Sequence, residues 1–340
     1  MKVGSPFVLF AATAGLSALL CEWLHIPLGA MIGPMLAVAL LSHVTGKLQG
    51  PGPDAHHGAI LIVGIALGAQ ISSDLFEKIT LWPFSLLTLV LTMCAVLWAV
   101  GHLNRRIIKL DPLSCHMAAA PGNLSLALAV TESRGGKLPQ VAVYQSLRLA
   151  LITLMVPFLF VLPDTSTASV AAFTQSDFFM WLGLLSVGWL LTGLFRALNL
   201  ATPGLIAGVL VAGTVSFTGW LSIQTPALFV ALAMMLFGWK IGIDIVRQGL
   251  KVLIFTIPPA LVSTLAAVSL AMAGAMVVHW MLGFPWLDTV LAFMPGAFQV
   301  MPVVALEAGG DGLYVTTHHL VRVLSMGVLI PIFASVWSTE

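Results

Sequence analysis

The chain has 340 residues, of which 59% are apolar and only 8% are charged. A soluble domain carries roughly 25% charged residues, so this chain lacks the polar side chains of a water-facing surface and is predicted to be a polytopic membrane protein. Its net charge of +1, with no extended basic patch, zinc spacing or recognition helix, argues against nucleic acid as a partner.

Apolar runs long enough to cross a membrane, about 17–25 residues, follow one another along the chain. They fall near residues 6–24, 26–44, 57–75, 80–102, 139–162, 179–198, 203–220, 226–245, 250–282 and 313–337. The run 250–282 exceeds one span, so we expect it to be tilted, kinked at Pro258-Pro259 or extended beyond the bilayer. The predicted fold class is all-α.

Two further segments, about 112–131 and 287–306, do not fit as ordinary spans. Each contains a Pro-Gly pair in its middle, Pro121-Gly122 in the first and Pro295-Gly296 in the second. A Pro-Gly pair at membrane depth breaks a helix, and the freed backbone groups are tolerated only where they are buried in protein or line a cavity. We therefore predict re-entrant hairpins or broken helices.

The positions of Lys and Arg favour the re-entrant form. If each Pro-Gly segment enters and leaves on one side, each half has five crossings, both termini are cytoplasmic, and Lys78 alone among the loop cations lies outside. If the segments crossed fully, Arg134 and Lys137 would move outside and the linker 163–177, which has no Lys or Arg, would become cytoplasmic. Because five is odd, the second half is expected to be inverted relative to the first, as in many secondary transporters.

The Pro-Gly stretch occurs twice in one ungapped register, which indicates an internal duplication. The matching residues are Pro121-Gly122 with Pro295-Gly296, Gly135-Gly136 with Gly309-Gly310, and Arg148 with Arg322. A weaker echo relates Gly68-Ala-Gln-Ile-Ser-Ser-Asp74 to Gly238-Trp-Lys-Ile-Gly-Ile-Asp244. We predict a first membrane repeat over 1–162, a linker over 163–177 and a second membrane repeat over 178–340.

With these motifs the chain resembles the AbrB family of membrane proteins, which is built on a tandem duplication and is unrelated to the small DNA-binding regulators of that name. The resemblance covers nearly the whole chain. It is carried most specifically by Pro121-Gly122 with Arg148, by Gly238-Trp-Lys-Ile-Gly242, and by Pro295-Gly296 with Arg322. It implies a bacterial inner-membrane protein of a group labelled as regulators of gene expression or as ammonia monooxygenases. Where the family often has Pro-Gly-Gly, this chain has Asn123 and Ala297.

The sequence contains no set of residues suited to bind the copper or iron of a monooxygenase. Copper or iron sites need several His, carboxylate or thiolate ligands in one place. The neighbouring pairs His56-His57 and His318-His319 point about 100° apart on a helix and rarely share a metal. We therefore expect no enzyme activity, no metal and no cofactor.

The Pro-Gly breaks and two arginines together predict an anion site. A helix that restarts after Pro-Gly, at Asn123 or Ala297, presents unpaired N–H groups and the positive end of its dipole. Arg148 and Arg322 each lie about ten residues, or roughly 15 Å, into a spanning helix, where a charge costs at least ~2.5 kcal/mol and faces the interior or a wet cavity. Four positive features suggest a carboxylate.

A structural role for the arginines stays open beside the anion site. Each could cap carbonyls freed by the neighbouring break, or pair with Glu132 or Glu307. Gln145 and His319 hold equivalent positions one turn before the arginines and either share the site or bond locally. The predicted substrate-binding residues are Gly122, Asn123, Gln145, Arg148, Gly296, Ala297, Gln299, His319 and Arg322.

Asp74 and Asp244 are a weaker prediction, as residues that couple a proton or sodium ion. Asp244 follows Lys240 by four residues, so an ion pair at a helix end is the favoured interpretation.

The function predicted from the sequence is a secondary transporter of a small organic anion. A membrane-bound ligand sensor or regulator of gene expression is the second hypothesis, and a monooxygenase is the third. The expected partners are the anion and the lipid bilayer, and homo-oligomerisation is left open.

Overall fold

A computed structural model describes residues 5–337, apart from 27, 72–79, 123, 160–174, 199–201, 220–222, 297 and 299. The described residues form helices and no strand. The helices are α1 (Ser5–Trp23), α2 (Gly29–Thr45), α3 (Pro53–Gly68), α4 (Trp82–Ile107, with a π-helical turn at Val96–Val100), α5 (Pro112–Ala119), α6 (Leu124–Ser133), α7 (Leu138–Leu159), α8 (Gln175–Ala197), α9 (Pro203–Thr218), α10 (Ala227–Arg247), α11 (Leu250–Leu282), α12 (Trp286–Phe293), α13 (Met301–Glu307) and α14 (Gly312–Trp337).

Seven helices in the described part of the chain are long and apolar enough to cross a membrane: α1, α4, α7, α8, α10, α11 and α14. The shorter helices α2 and α9 are also apolar. Each predicted run coincides with a helix, but α3 differs most from its run. It begins at Pro53 rather than residue 57 because Gly52 and Pro53 form a favourable N-terminus, and it ends at Gly68. The fold is that of a multi-pass, all-α membrane protein.

The helices follow the same order in the two halves of the chain. Four pairs of helices begin 174 residues apart, at positions 29 and 203, 53 and 227, 112 and 286, and 138 and 312. Backbone angles agree with this register: the N-cap residues Leu28 and Thr202 have φ of 54° and 53°, and Gly135 and Gly309 have φ of 74° and 75°. Local conformation therefore recurs as well as sequence.

The spacing of the helix starts changes one of the sequence matches by about one helical turn. The echo aligned Asp74 with Asp244, but counting from the first residues of α3 and α10 places Gln70 opposite Asp244. The difference arises because the starts of these helices are fixed by Pro53 and Ala227, not by the Gly68 and Gly238 from which the echo was counted.

The chain forms two compact units, and each draws on both halves. The first unit contains α1–α3 and α8–α10, and the second contains α4–α7, α11, α12 and most of α13 and α14. Their bounds are Met1–Phe76, Val161–Arg247 and Leu306–Leu313 for the first unit, and Glu77–Phe160, Gln248–Ala305 and Tyr314–Glu340 for the second.

Close backbone contacts hold the first unit together. A methyl group on Gly64 of α3 would lie 2.6 Å from the carbonyl oxygen of Leu205 on α9, and one on Gly208 would lie 2.6 Å from the carbonyl carbon of Gly64. A methyl group on Gly238 or Gly242 would lie still closer to the α2 backbone, at the carbonyl oxygens of Met31 and Met35. Lipid tails are as apolar as leucine, so membrane helices gain stability by such close packing rather than by the hydrophobic effect.

The first Pro-Gly segment folds back on itself in the second unit. Asp111 caps α5 by accepting a hydrogen bond from the Ser114 amide (2.8 Å). After α6 the chain turns at Gly135, and the Lys137 amide donates to the Ser114 hydroxyl (2.7 Å). The end of the segment thus returns to the first turn of α5, with Pro121-Gly122 at the opposite end. This is the hairpin geometry that a re-entrant segment requires.

Candidate anion-binding site

The site begins with Arg148, in the middle of α7, whose guanidinium caps the C-terminal end of α5. Its Nη1 donates to the carbonyl oxygens of Ala118 (3.4 Å) and Ala119 (2.9 Å), and its Nη2 donates to that of Ala120 (2.8 Å). These carbonyls lack helical partners because Pro121 ends α5. Arg148 therefore binds the break from α7, the second helix after it.

Gln145, one turn before Arg148, completes the cap. Its amide nitrogen donates to the carbonyl oxygens of Met117 (2.6 Å) and Ala120 (3.0 Å), while its Oε1 accepts from Arg148 Nη2 (2.5 Å). The fixed orientation of Gln145 holds the guanidinium against the end of α5.

Arg322 and His319 repeat this arrangement on α14, at the C-terminal end of α12. Arg322 Nη1 donates to the carbonyl oxygen of Met294, and its Nη2 donates to His319 Nδ1 (2.7 Å). His319 Nε2 lies 2.9 Å from the carbonyl oxygen of Leu291. His319 must accept at Nδ1 and donate at Nε2, so the ring is neutral with its proton on Nε2. At the 174-residue spacing Arg148 corresponds to Arg322, Gln145 to His319, and the carbonyl-bearing residues Ala120 and Met117 to Met294 and Leu291.

The two breaks also contact the helices of the opposite half. A methyl group on Gly122, whose φ is 93°, would lie 3.0 Å from Arg322 Nε. One on Gly296 would lie 3.1 Å from the side chain of Ile152, on the same helix as Arg148. Gly122 thus lets the side chain of Arg322 reach the first break, and the two arginine clusters belong to one site.

The charge of this site is only partly balanced. The side chains of Arg148 and Arg322 are 5% and 0% exposed, and neither has a carboxylate partner in the described part of the chain, so Glu132 and Glu307 do not pair with them. Each helix C-terminus supplies about half a negative charge, which leaves roughly one net positive charge for the pair. An uncompensated buried charge is costly, and one bound monoanion would neutralise it.

Free donors remain for such an anion. The Nε atoms of Arg148 and Arg322 are buried and have no hydrogen-bond partner among the described residues. Among the described residues, Arg322 makes two hydrogen bonds and Arg148 makes four, so fewer donors of the Arg322 guanidinium are used within that part of the chain.

The remaining predicted site residues divide into two groups. Asn123, Ala297, Gln299 and Asp74 lie outside the described residues. Asp244 belongs to the first unit, where it accepts from Lys240 Nζ at 2.7 Å and lies 3.6 Å from Arg247. The predicted ion pair of Asp244 with Lys240 is confirmed.

Sequence reasoning missed a buried polar cluster beside His319. Ser85 of α4 contacts the hydroxyl of Tyr314 (2.6 Å) and the Nε2 of His318. His318 Nδ1 in turn lies 2.8 Å from the carbonyl oxygen of Tyr314. Such a chain of hydroxyl and imidazole groups can pass a proton. In the sequence only the His318-His319 pair pointed to this cluster. Ser85 could not be connected with it because it lies more than two hundred residues away.

No three His, Cys, Asp or Glu side chains come together to hold a metal ion within the described ranges.

The fold and the site define a multi-pass membrane protein with two discontinuous segments, each closed by a buried arginine. A family model described as "Transition state regulatory protein AbrB" matches residues 31–338, and the chain belongs to this AbrB family. The resemblance stated from the motifs is thereby confirmed.

Two curated bacterial proteins are similar over most of their length. The chain is 25% identical over 324 residues to "Putative regulator AbrB" of Escherichia coli (strain K12), which covers 93% of this chain and 91% of that protein. It is 23% identical over 354 residues to "Uncharacterized protein YhjN" of Bacillus subtilis (strain 168), covering 95% and 91%. At this identity, the name of neither relative establishes a function for the chain.

Proposed function

We propose that the protein is a secondary transporter of a small organic anion of the carboxylate type, which it binds without chemical conversion. The observation that carries this proposal is the pair of buried guanidinium groups with about one net positive charge and no carboxylate partner in the described residues. A carboxylate would bring one negative charge, and its two oxygens match the planar donors of arginine.

The repeated helix order supports alternating access. In the predicted topology the halves are inverted, so the two Pro-Gly breaks approach the middle of the bilayer from opposite sides. A site made by both breaks is reachable from each side in turn. We place the protein in the bacterial inner membrane, with both termini in the cytoplasm, as an assembly of one or several copies.

A ligand sensor is the second candidate function, favoured by the regulator names of the family model and the Escherichia coli relative. A sensor would bind the same anion without moving it. Flux measured in proteoliposomes separates the two, because only a transporter accumulates or exchanges labelled anion.

The proposal is tested by ligand binding and melting temperature on one set of variants. Purified protein should be stabilised by one class of carboxylate over chloride at equal ionic strength, as binding linkage requires. Arg322→Lys should weaken that binding by about 1–3 kcal/mol because lysine loses the planar pair of donors. Arg148→Gln should lower the melting temperature more than Arg322→Gln, since it leaves the carbonyl oxygens of Ala118 and Ala119 and the Oε1 of Gln145 without the donor that they have in the wild type.

The matched control is Arg196→Gln, which removes an exposed positive charge from the last turn of α8. It should leave binding unchanged. If the Arg148 and Arg322 variants melt early yet bind the carboxylate normally per folded molecule, the arginines are structural caps and the anion site is wrong.

A further inference from the structure

The motif Gly238-Trp-Lys-Ile-Gly242 is not used by the arginine site, which belongs to the second unit. Its glycines pack against α2, as described above. Between them, Trp239 Nε1 donates to the carbonyl oxygen of Gln49 (2.7 Å). This bond fastens the loop before α3, which also contains Pro51, to the side of α10. Lys240, the next residue, is directed to a cavity next to this loop.

The cavity has a volume of about 280 Å³ and opens to solvent. Its walls come from three places in the first unit: the loop before α3, the first turn of α3 and the last turns of α10. The residues that line it are Gly50, Pro51, Pro53, His56, His57, Lys240, Ile243, Asp244 and Arg247. It can hold a group of several heavy atoms together with water.

The charged side chains of the cavity sum to one positive charge. Lys240 Nζ and Arg247 Nη1 lie 2.7 Å and 3.6 Å from the two oxygens of Asp244. Both cations are partly exposed, at 43% and 62%, so Asp244 positions them while their remaining donors stay accessible. Two cations held by one carboxylate are arranged to accept a second anion.

The start of α3 adds backbone donors to the same wall. Gly52 is the N-cap and no side chain caps this end, so N–H groups of the first turn lack an intrahelical partner and carry the positive end of the helix dipole. Asp54, in the same turn, is exposed and is not part of the lining.

His56 provides a further polar atom. Its Nδ1 is buried and has no hydrogen-bond partner among the described residues. The ring is held edge-on against Phe237, with 5.9 Å between ring centroids. A ligand oxygen in the cavity would give this atom a partner.

We propose that this cavity is a second anion site, for a phosphate group, held by Lys240, Arg247 and the first turn of α3. Lysine and arginine beside an uncapped helix N-terminus are the groups that bind phosphate in proteins. In the predicted topology the cavity faces the cytoplasm, where the group comes from a phosphate-bearing solute or from an anionic phospholipid. The site is independent of carboxylate transport.

Two probes separate these sources. Inorganic phosphate is titrated against the full-length protein in detergent, with chloride at equal ionic strength as the reference. Phosphatidylglycerol in mixed micelles is compared with phosphatidylcholine. Stabilisation by inorganic phosphate identifies a solute site, and stabilisation by phosphatidylglycerol alone identifies a headgroup site. In either case Lys240→Gln and Arg247→Gln should each weaken binding about ten-fold or more, while Arg196→Gln should not.

A variant that is expected to bind the phosphate group more tightly makes the test independent of folding. Asp244→Asn removes the carboxylate that occupies both cations, so it should bind the phosphate group several-fold more tightly than the wild type. A general loss of structure would weaken binding in every variant. The proposal is overturned if neither probe binds, if binding survives the loss of both cations, or if Asp244→Asn weakens it.

Discussion

At the scale of single residues, the two arginines occupy equivalent positions in the repeats but make different hydrogen bonds to the described residues. Arg148 is held by three carbonyls and a glutamine, whereas Arg322 is held by one carbonyl and the neutral ring of His319. Only the Nε of Arg148 is without a partner among the described residues, so this arginine stabilises the protein but has few donors left for a ligand. Arg322, which also contacts Gly122, is therefore the residue we expect to bind and release the anion.

A pH-dependent prediction concerns His56, at the loop end of α3. Burial, followed by the Lys240 cation and His57, lowers the pKa of His56 to about 4. Between this value and the ordinary pKa of about 6.5, the unfolded chain binds the proton and the folded chain does not. Stability contributed by the neutral ring is thus present above pH ~6.5 and is lost as the pH falls towards 4.

We expect the wild-type melting temperature to fall between pH 7 and pH 4.5 by more than that of His56→Asn. Exposed His43, in the last turn of α2, offers the control: His43→Asn should follow the wild type. Parallel curves for the wild type and His56→Asn would show that His56 is not the group that titrates.

At the scale of helices, glycines decide which pairs can pack. Gly64→Ala would force a methyl group to within 2.6 Å of the Leu205 carbonyl oxygen, and overpacking of this kind costs about 1–3 kcal/mol. Gly183 of α8 has no heavy atom within 4 Å of an added methyl group. Gly183→Ala should therefore raise stability by up to ~1 kcal/mol through helix propensity.

The two substitutions should shift the melting temperature in opposite directions, which is measured on purified protein in one detergent. If Gly64→Ala is as stable as Gly183→Ala, then α3 and α9 do not depend on close backbone contact.

Much of the helix pattern could be predicted because it depends on local chemistry. Apolar runs, the Pro-Gly breaks and the ion pair of Lys240 with Asp244 are all set by residues within a few turns of one another. The α3 start was missed because the run was counted from apolar residues rather than from Pro53. The role of the arginines stayed open for a different reason: the carbonyls they bind lie 28–30 residues away, and tertiary packing alone brings them together.

At the scale of the whole molecule, the division into two units could not be predicted from the repeats. The sequence suggested one repeat after the other, while each unit combines helices from both halves. The sequence of α3 does not identify α9 as its packing partner, because pairs of glycines four residues apart occur in several helices.

The inverted topology is tested by labelling single cysteines in a background without Cys21, Cys94 and Cys115. Lys137 follows α6 and is exposed, so Lys137→Cys is a better probe than a substitution at the crowded Gly136. We expect Lys137→Cys to react from the cytoplasm and Ser166→Cys, in the linker, to react from the other side. The reverse result, in which Lys137→Cys reacts from outside and Ser166→Cys reacts from the cytoplasm, would mean that the Pro-Gly segment crosses the membrane and that the repeats are parallel.

The close contact between Gly64 and Gly208 has a consequence for biosynthesis. The two glycines are 144 positions apart, so at about 5–20 residues per second α3 leaves the ribosome roughly 7–30 seconds before α9. During that interval the face of α3 that contains Gly64 and Gly68 is exposed to lipid tails. Lipid tails do not repel this face, but they cannot approach its backbone as closely as another helix does. Assembly of the first unit must therefore wait for translation of the second half, and a nascent chain halted before α9 would expose an unfinished face to whatever else is inserting in the membrane.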